Sequence, residues 1–283
     1  MSKNLLNISG KISDPIVSIY ALITQIAKQN NVPFFVIGAT ARDIIFEYAY
    51  GIKAPRGTRD IDLAVQIASW QEFQQLQNQL IATGQFSSTK MAQRLLYHNE
   101  IPVDIVPFGA INHEGSIAWP PENSIKMSVI GFQEAYDTTQ IVTLSENPAL
   151  DVNVVTPQSL VLLKLTAWKD RCAQNTKDAQ DLAFILLNYL DAGNNKRLYE
   201  EHQDWVENID FDYEISGARL LGHDMAAIIS GSTKLIINQL LEIETGQQNQ
   251  YKLAEAMAPE RNRRSFEKNL ALLEALYLGL NEM

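Results

Sequence analysis

Arg59-Asp60-Ile61-Asp62-Leu63-Ala64-Val65 alternates acidic and apolar residues at its start. In a β-strand successive side chains point to opposite faces, so Asp60 and Asp62 share one face while Ile61, Leu63 and Val65 share the other. The apolar face can pack on a core. The acidic face costs energy, because neighbouring carboxylates repel each other unless positive charge stands between them. A divalent cation supplies such charge, and hard carboxylate oxygens suit magnesium. Solvated acids on the wet side of a half-exposed sheet give the same pattern, so the pair needs support from its surroundings.

Ile101-Pro102-Val103-Asp104-Ile105-Val106 repeats the arrangement, with Ile101, Val103 and Ile105 on the apolar face and Asp104 on the other. If this strand neighbours the first, Asp60, Asp62 and Asp104 converge as metal ligands. Three converging acids are the usual setting for two magnesium ions about 4 Å apart acting on a nucleoside triphosphate. Upstream, Phe34-Phe35-Val36-Ile37 reads as a short strand ending at Gly38, followed by a helical pattern from about Thr40 to Tyr50. A glycine there lets a phosphate approach the backbone and the next helix's N-terminus, and Thr40 can donate to a phosphate oxygen. Arg42 either reaches that phosphate or pairs with a nearby carboxylate. Arg56 and Arg59 are substrate contacts or plain loop charges.

Further outward, Asp14-Pro15 opens a helix with Ile16, Ile19, Tyr20, Ile23 and Ile26 at helical spacing, and a helix is expected from about Trp70 to Ala82. Residues 94–98 and 101–106 read as the two strands of a hairpin. Short strands are expected near 128–129 and 141–144, and the stretch from Phe108 to Asn123 reads as an irregular loop. From Thr156-Pro157 onward every periodic segment is helical: about 157–171, 177–190, 215–230, 233–244, 248–257 and 264–279. The pattern predicts an α+β fold: a mixed-sheet domain over 1–155 and an all-helical lobe over 156–283.

The 283 residues carry a net charge of −10, the sign opposite to that of proteins that coat nucleic acid nonspecifically. A local basic groove for one RNA end remains compatible with it, and Arg261-Asn262-Arg263-Arg264 is the densest basic cluster. No stretch approaches the ~18 uninterrupted apolar residues of a membrane span, and the start lacks the apolar core of a secretory signal. Cys172 is the single cysteine, which excludes an intramolecular disulfide; a cytoplasmic location is the expectation. The histidines at 98, 113, 202 and 223 have no zinc-ligand spacing.

Val36-Ile37-Gly38-Ala39-Thr40, Arg59-Asp60-Ile61-Asp62 and Val103-Asp104-Ile105 together resemble the signature of the polymerase-beta-type nucleotidyltransferase superfamily. There a Gly followed by Gly or Ser starts a helix, an acidic pair on the next strand binds metal, and a later strand adds a third acid. Ala39 and Thr40 depart from the second small residue of that motif, which leaves the phosphate contact open. A narrower resemblance spans most of residues 34–190. Leu163-Lys164-Leu165-Thr166-Ala167-Trp168-Lys169-Asp170-Arg171 and Lys177-Asp178-Ala179-Gln180-Asp181-Leu182 are similar to the second half of AbiEii/MenT-type nucleotidyltransferases, toxins of abortive-infection and toxin–antitoxin systems. This resemblance implies a functional lysine, best matched by Lys164, and an acid on the next helix, best matched by Asp181 with Asp178 as its rival, both brought to the cleft by the helical domain.

On their own, Lys164, Trp168 and Arg171 line one helix face, which either holds triphosphate or is merely a solvated basic stripe. Asp178 and Asp181 sit where a helix dipole favours carboxylates in any case. The combined expectation is a magnesium-dependent transfer of a nucleoside monophosphate from a nucleoside triphosphate to an acceptor hydroxyl. Asp60, Asp62, Asp104, Lys164 and Asp181 would be catalytic, and Gly38, Thr40, Arg42, Arg59 and Arg171 would bind the nucleotide. The resemblance implies the 3′ end of tRNA as acceptor and a cognate antitoxin as partner. A small-molecule or protein acceptor, and a non-catalytic binding protein, are the alternatives.

Overall fold

The computed structural model describes residues 6–172, 175–207, 211–246, 251–258 and 263–282, apart from the side chains of 263 and 264. The chain divides into two compact units, Met1–Thr156 and Pro157–Met283.

In the first unit, among the described residues, eight strands form one mixed sheet in the order β1-β9-β10-β2-β3-β6-β5-β4. They are β1 (Leu6–Asn7), β2 (Phe34–Val36), β3 (Ile61–Gln66), β4 (Phe86–Ser88), β5 (Arg94–Tyr97), β6 (Ile101–Phe108), β9 (Gln140–Glu146) and β10 (Ala149–Val154). The central strands β3 and β6 run parallel, and Leu63, Val65, Val103 and Ile105 are fully buried. Such burial matches the apolar character of parallel strands covered on their faces. Antiparallel β2 lies beside β3, pairing Val36 with Leu63. On the other side, β5 and β6 form the hairpin. Their turn places His98 and Asn99 at φ of 49° and 59°, as the central positions of a type I′ turn require.

Helix α1 (Asp14–Gln29) starts with Pro15 in its first turn and buries Ile19, Tyr20, Ile23 and Ile26. Helix α2 (Gly38–Arg42) continues as a π-helical segment, Asp43–Ala49, and α3 (Trp70–Ala82) is capped by Ser69, which accepts from the Glu72 amide. The segment expected to be an irregular loop contains a strand, β7 (Ser116–Ala118), which pairs with β8 (Lys126–Ser128). Strands β1, β4 and β10 and helix α4 (Phe132–Asp137) are also additions to the expected elements.

The second unit is helical throughout its described residues: α5 (Pro157–Arg171), α6 (Lys177–Asn188), α7 (Asn195–Glu201), α8 (Gln203–Val206), α9 (Tyr213–Ala226), α10 (Gly231–Glu244), α11 (Lys252–Met257) and α12 (Arg263–Asn281). Helix α5 is enclosed on all sides: Leu160 to Thr166 and Trp168 are buried, so it is a core helix rather than an amphipathic surface one. Trp168 donates to Glu244 across 3.2 Å, and Glu244 also accepts from the Leu253 amide at 2.7 Å. Helices α9 and α12 cross at glycines. A Cβ on Gly222 would stand 2.2 Å from the Leu276 carbonyl, and one on Gly279 only 1.9 Å from that of Arg219. Arg261 and Asn262 of the basic cluster lie outside the described residues.

Candidate active site

Asp62 and Asp104 are Cα partners on the adjacent parallel strands β3 and β6. Paired residues of neighbouring strands project to the same side of a sheet. Asp60 sits one residue before β3, two positions from Asp62. On the far side of β6, Arg94 is the Cα partner of Asp104. Its guanidinium donates to both oxygens of Asp104, from Nε at 2.7 Å and Nη2 at 2.6 Å. Nη2 also donates to Asp60 at 3.2 Å. The side chains of Asp60, Asp104 and Arg94 are 43%, 16% and 25% exposed, so the group opens to solvent. The Asp104 hydrogen bonds, outweighing burial, raise the Arg94 pKa and keep it charged.

Asp62, on the same face, lies against the start of α2. A Cβ on Gly38 would lie 2.3 Å from Asp62 Oδ2, and Gly38 itself has φ +68°. Glycine is therefore needed twice here, for the left-handed backbone and for the carboxylate beside it. The space above Gly38 that could admit a phosphate is taken by Asp62. The Thr40 hydroxyl donates to the backbone carbonyl of Asp60 at 2.8 Å, where the Thr58 hydroxyl also donates at 3.2 Å. So Thr40 holds the loop that presents the acids. Beneath them, Tyr20 is wholly buried and its hydroxyl has no hydrogen-bond partner. Burial first, and the Asp62 charge second, push that phenol well above its ordinary pKa.

Arg42 resolves to the ion-pair alternative. It is 1% exposed, and its guanidinium donates to Asp43 at 2.8 and 2.6 Å and to the Arg56 carbonyl at 2.7 Å. An arginine so enclosed is not presented to a nucleotide. Arg59 is exposed in the loop before β3.

The donor chemistry of the acidic face fits a divalent cation, because Asp60 and Asp104 already close on a single cationic group. Among the described residues no three His, Cys, Asp or Glu side chains are arranged as a ready-made metal cage. The guanidinium between Asp60 and Asp104 gives a physical reason. Neither sequence motif contains Arg94. The signal was present all the same: pairing the hairpin strands outward from the three-residue connection His98-Asn99-Glu100 puts position 94 opposite position 104.

In the helical unit, Lys164 of α5 is held by both acids of α6, donating to Asp178 at 3.0 Å and Asp181 at 2.6 Å. The lysine side chain is 9% exposed and both carboxylates 2%. Arg171, nearly half exposed, adds a second cation on Asp178 at 2.7 and 3.0 Å. Burial alone would raise the Asp178 pKa, but the charges of Lys164 and Arg171 outweigh it and hold the carboxyl below its ordinary value. The two acids therefore share one lysine, and Lys164 is no solvated basic stripe.

The profile of the family described as "Nucleotidyl transferase AbiEii toxin, Type IV TA system" matches residues 27–270. The chain belongs to this family and is a nucleotidyltransferase. No curated protein matches the chain. Among solved structures, the antibiotic-resistance factor ANT(2'')-Ia is 12% identical, covering 69% of this chain and 97% of its own, with a TM-score of 0.37. A CCA-adding enzyme complexed with ATP is 15% identical over 91% of this chain and 66% of its own, with a TM-score of 0.28. The Thermotoga maritima CCA-adding enzyme complexed with tRNA is 9% identical over 97% and 80%, with a TM-score of 0.26.

Proposed function

We propose that this nucleotidyltransferase moves a nucleoside monophosphate from a nucleoside triphosphate to an acceptor hydroxyl in a magnesium-dependent reaction at Asp60, Asp62 and Asp104. The observation that carries the proposal is the register of β3 and β6, which sets Asp62 beside Asp104 with Asp60 two residues away. Magnesium bound to these carboxylates would supply the positive charge against which the triphosphate is held. Asp104 takes the proton of the acceptor hydroxyl as its oxygen bonds to the α-phosphorus, and the bond to pyrophosphate breaks on the opposite side. Gly38 and Thr40 serve as positioning residues, for Asp62 and for the Asp60 backbone, rather than as phosphate ligands. Arg59 is a candidate phosphate contact from the exposed loop.

Within the helical domain the family resemblance makes Lys164 and Asp181 functional residues, and the proposal gives the cluster of Lys164, Asp181 and Asp178 a positioning role, its charges being satisfied internally. Arg171, paired with Asp178, adds a second cation. Membership of the AbiEii family supports a toxin role in a toxin–antitoxin pair, with a cognate antitoxin protein as partner and the 3′ end of tRNA as acceptor; a cytoplasmic location would follow. Among the described residues no helix is long and apolar enough to cross a membrane.

Incubation with each α-labelled triphosphate, magnesium and total RNA tests the reaction. The expected result is label in a tRNA-sized band that is lost in Asp62→Ala. Label in protein or in small molecules alone would refute the tRNA acceptor, and full activity of Asp62→Ala would refute the site.

A further inference from the structure

We propose that Arg94 is the built-in counter-ion of the acidic face, and that a divalent cation binds there by displacing it. The proposal rests on the metal reading of Asp60, Asp62 and Asp104 given above. It adds a competitor for that metal which neither the family match nor the acid motifs identify.

The hairpin turn makes Arg94 the cross-strand partner of Asp104, so its side chain rises on the same face as the acid. Its planar fork engages both Asp104 oxygens and reaches Asp60 from the same nitrogen. Such bidentate, charge-assisted contacts are the strong form of the arginine–carboxylate pair. They engage both Asp104 oxygens and one of Asp60, oxygens that a hard cation would also use. A divalent cation held by Asp60 and Asp104 would lie close to the Arg94 guanidinium, and two cations at that range repel each other. Metal and guanidinium therefore compete for these oxygens.

Arg94 has somewhere to go. It lines a groove of about 400 Å³ together with Trp70, Ser88, Thr89 and Met91. The Ser88 side chain and the Trp70 indole stand along that groove, and an indole is the best aromatic partner for a cation. The arrangement keeps the acids from repelling each other before metal arrives. It also sets a threshold concentration of divalent cation, because the ion must outcompete an intramolecular partner.

The test is direct titration of the full chain with Mn²⁺, followed by electron paramagnetic resonance of the free ion, without nucleotide. Arg94→Gln should bind Mn²⁺ about tenfold tighter than the wild type, a change equivalent to about 1.4 kcal/mol. Arg94→Lys should tighten binding less, because its compact ammonium cannot bridge both acids. Thermal stabilisation by saturating Mn²⁺ should be larger in Arg94→Gln than in the wild type. Equal or weaker binding by folded Arg94→Gln would overturn the proposal and make Arg94 a fixed support for Asp104. Should Arg94→Gln fail to fold without metal, Arg94→Lys decides in the same way. If neither the wild type nor the variants take up Mn²⁺, and Asp62→Ala changes nothing, the metal reading itself falls. That result differs from tight wild-type binding left unmoved at Arg94.

Discussion

Replacing Lys164 with methionine keeps most of the side-chain volume but removes an ammonium that lies 3.0 Å from Asp178 and 2.6 Å from Asp181. Both carboxylates are 2% exposed, so they cannot recover the lost interaction from water. Breaking a buried ion pair by deleting one partner costs about 3–5 kcal/mol, most of it the penalty of leaving a charge uncompensated. Arg171 still holds Asp178 at 2.7 Å, which places the expected loss near the lower end, at about 3 kcal/mol. Whole domains are stable by only about 5–15 kcal/mol, so the helical unit of Lys164→Met should unfold at markedly lower urea than the wild type. The readout is urea unfolding followed by far-UV circular dichroism. Adding Asp181→Asn to the methionine variant neutralises one stranded carboxylate and should restore at least about 1 kcal/mol, a coupling that a double-mutant cycle resolves. A loss below about 1 kcal/mol for Lys164→Met, or losses that simply add in the double variant, would refute the account of this cluster.

Gly38→Ala should cost about 1–2 kcal/mol of stability, from its left-handed backbone. It should reduce nucleotidyl transfer about 100-fold or more, because the new Cβ would sit 2.3 Å from Asp62 Oδ2 and displace that carboxylate. Single-turnover transfer beside urea melts checks both, and wild-type transfer in Gly38→Ala would contradict the geometry. The pH dependence has a defined sign. Asp178 has a folded pKa below its unfolded one, so its contribution is present above the ordinary carboxylate range and is lost as pH falls through that range towards the depressed value. Stability measured below about pH 4 should therefore drop in the wild type, and the part owed to Asp178 should be missing in Asp178→Asn.

The elements that carry the acids were legible because strand alternation and helical spacing are local signals. Asp60-Ile61-Asp62 and Val103-Asp104-Ile105 announced their faces, and the helical spacing after Pro157 is followed by a unit that is helical throughout its described residues. What escaped was set by tertiary partners. Strand β10, between β9 and β2, is the exception: Leu150, Val152 and Val154 alternate with Asp151 and Asn153, a local strand signal that the sequence does carry. The strands β7 and β8 form a separate two-stranded sheet inside a stretch rich in Gly and Pro. On helix α5 the side shared by Lys164, Trp168 and Arg171 reads as either a triphosphate-holding face or a solvated basic stripe; the acids of α6 and Glu244 explain why Lys164 and Trp168 are buried. For Arg42 the sequence left a phosphate contact and an ion pair equally open, and burial beside Asp43 decides between them. Arg94 was readable in principle, from the hairpin register, but no motif contains it.

The account stands most directly on label transfer by Asp62→Ala. Purified wild-type chain, given magnesium, an α-labelled nucleoside triphosphate and total RNA, is expected to move label onto an acceptor and release pyrophosphate. The alanine variant, folded to the same degree by circular dichroism, is expected to move none. Transfer at the wild-type rate by that variant would contradict the assignment of the β3–β6 acids as the catalytic centre.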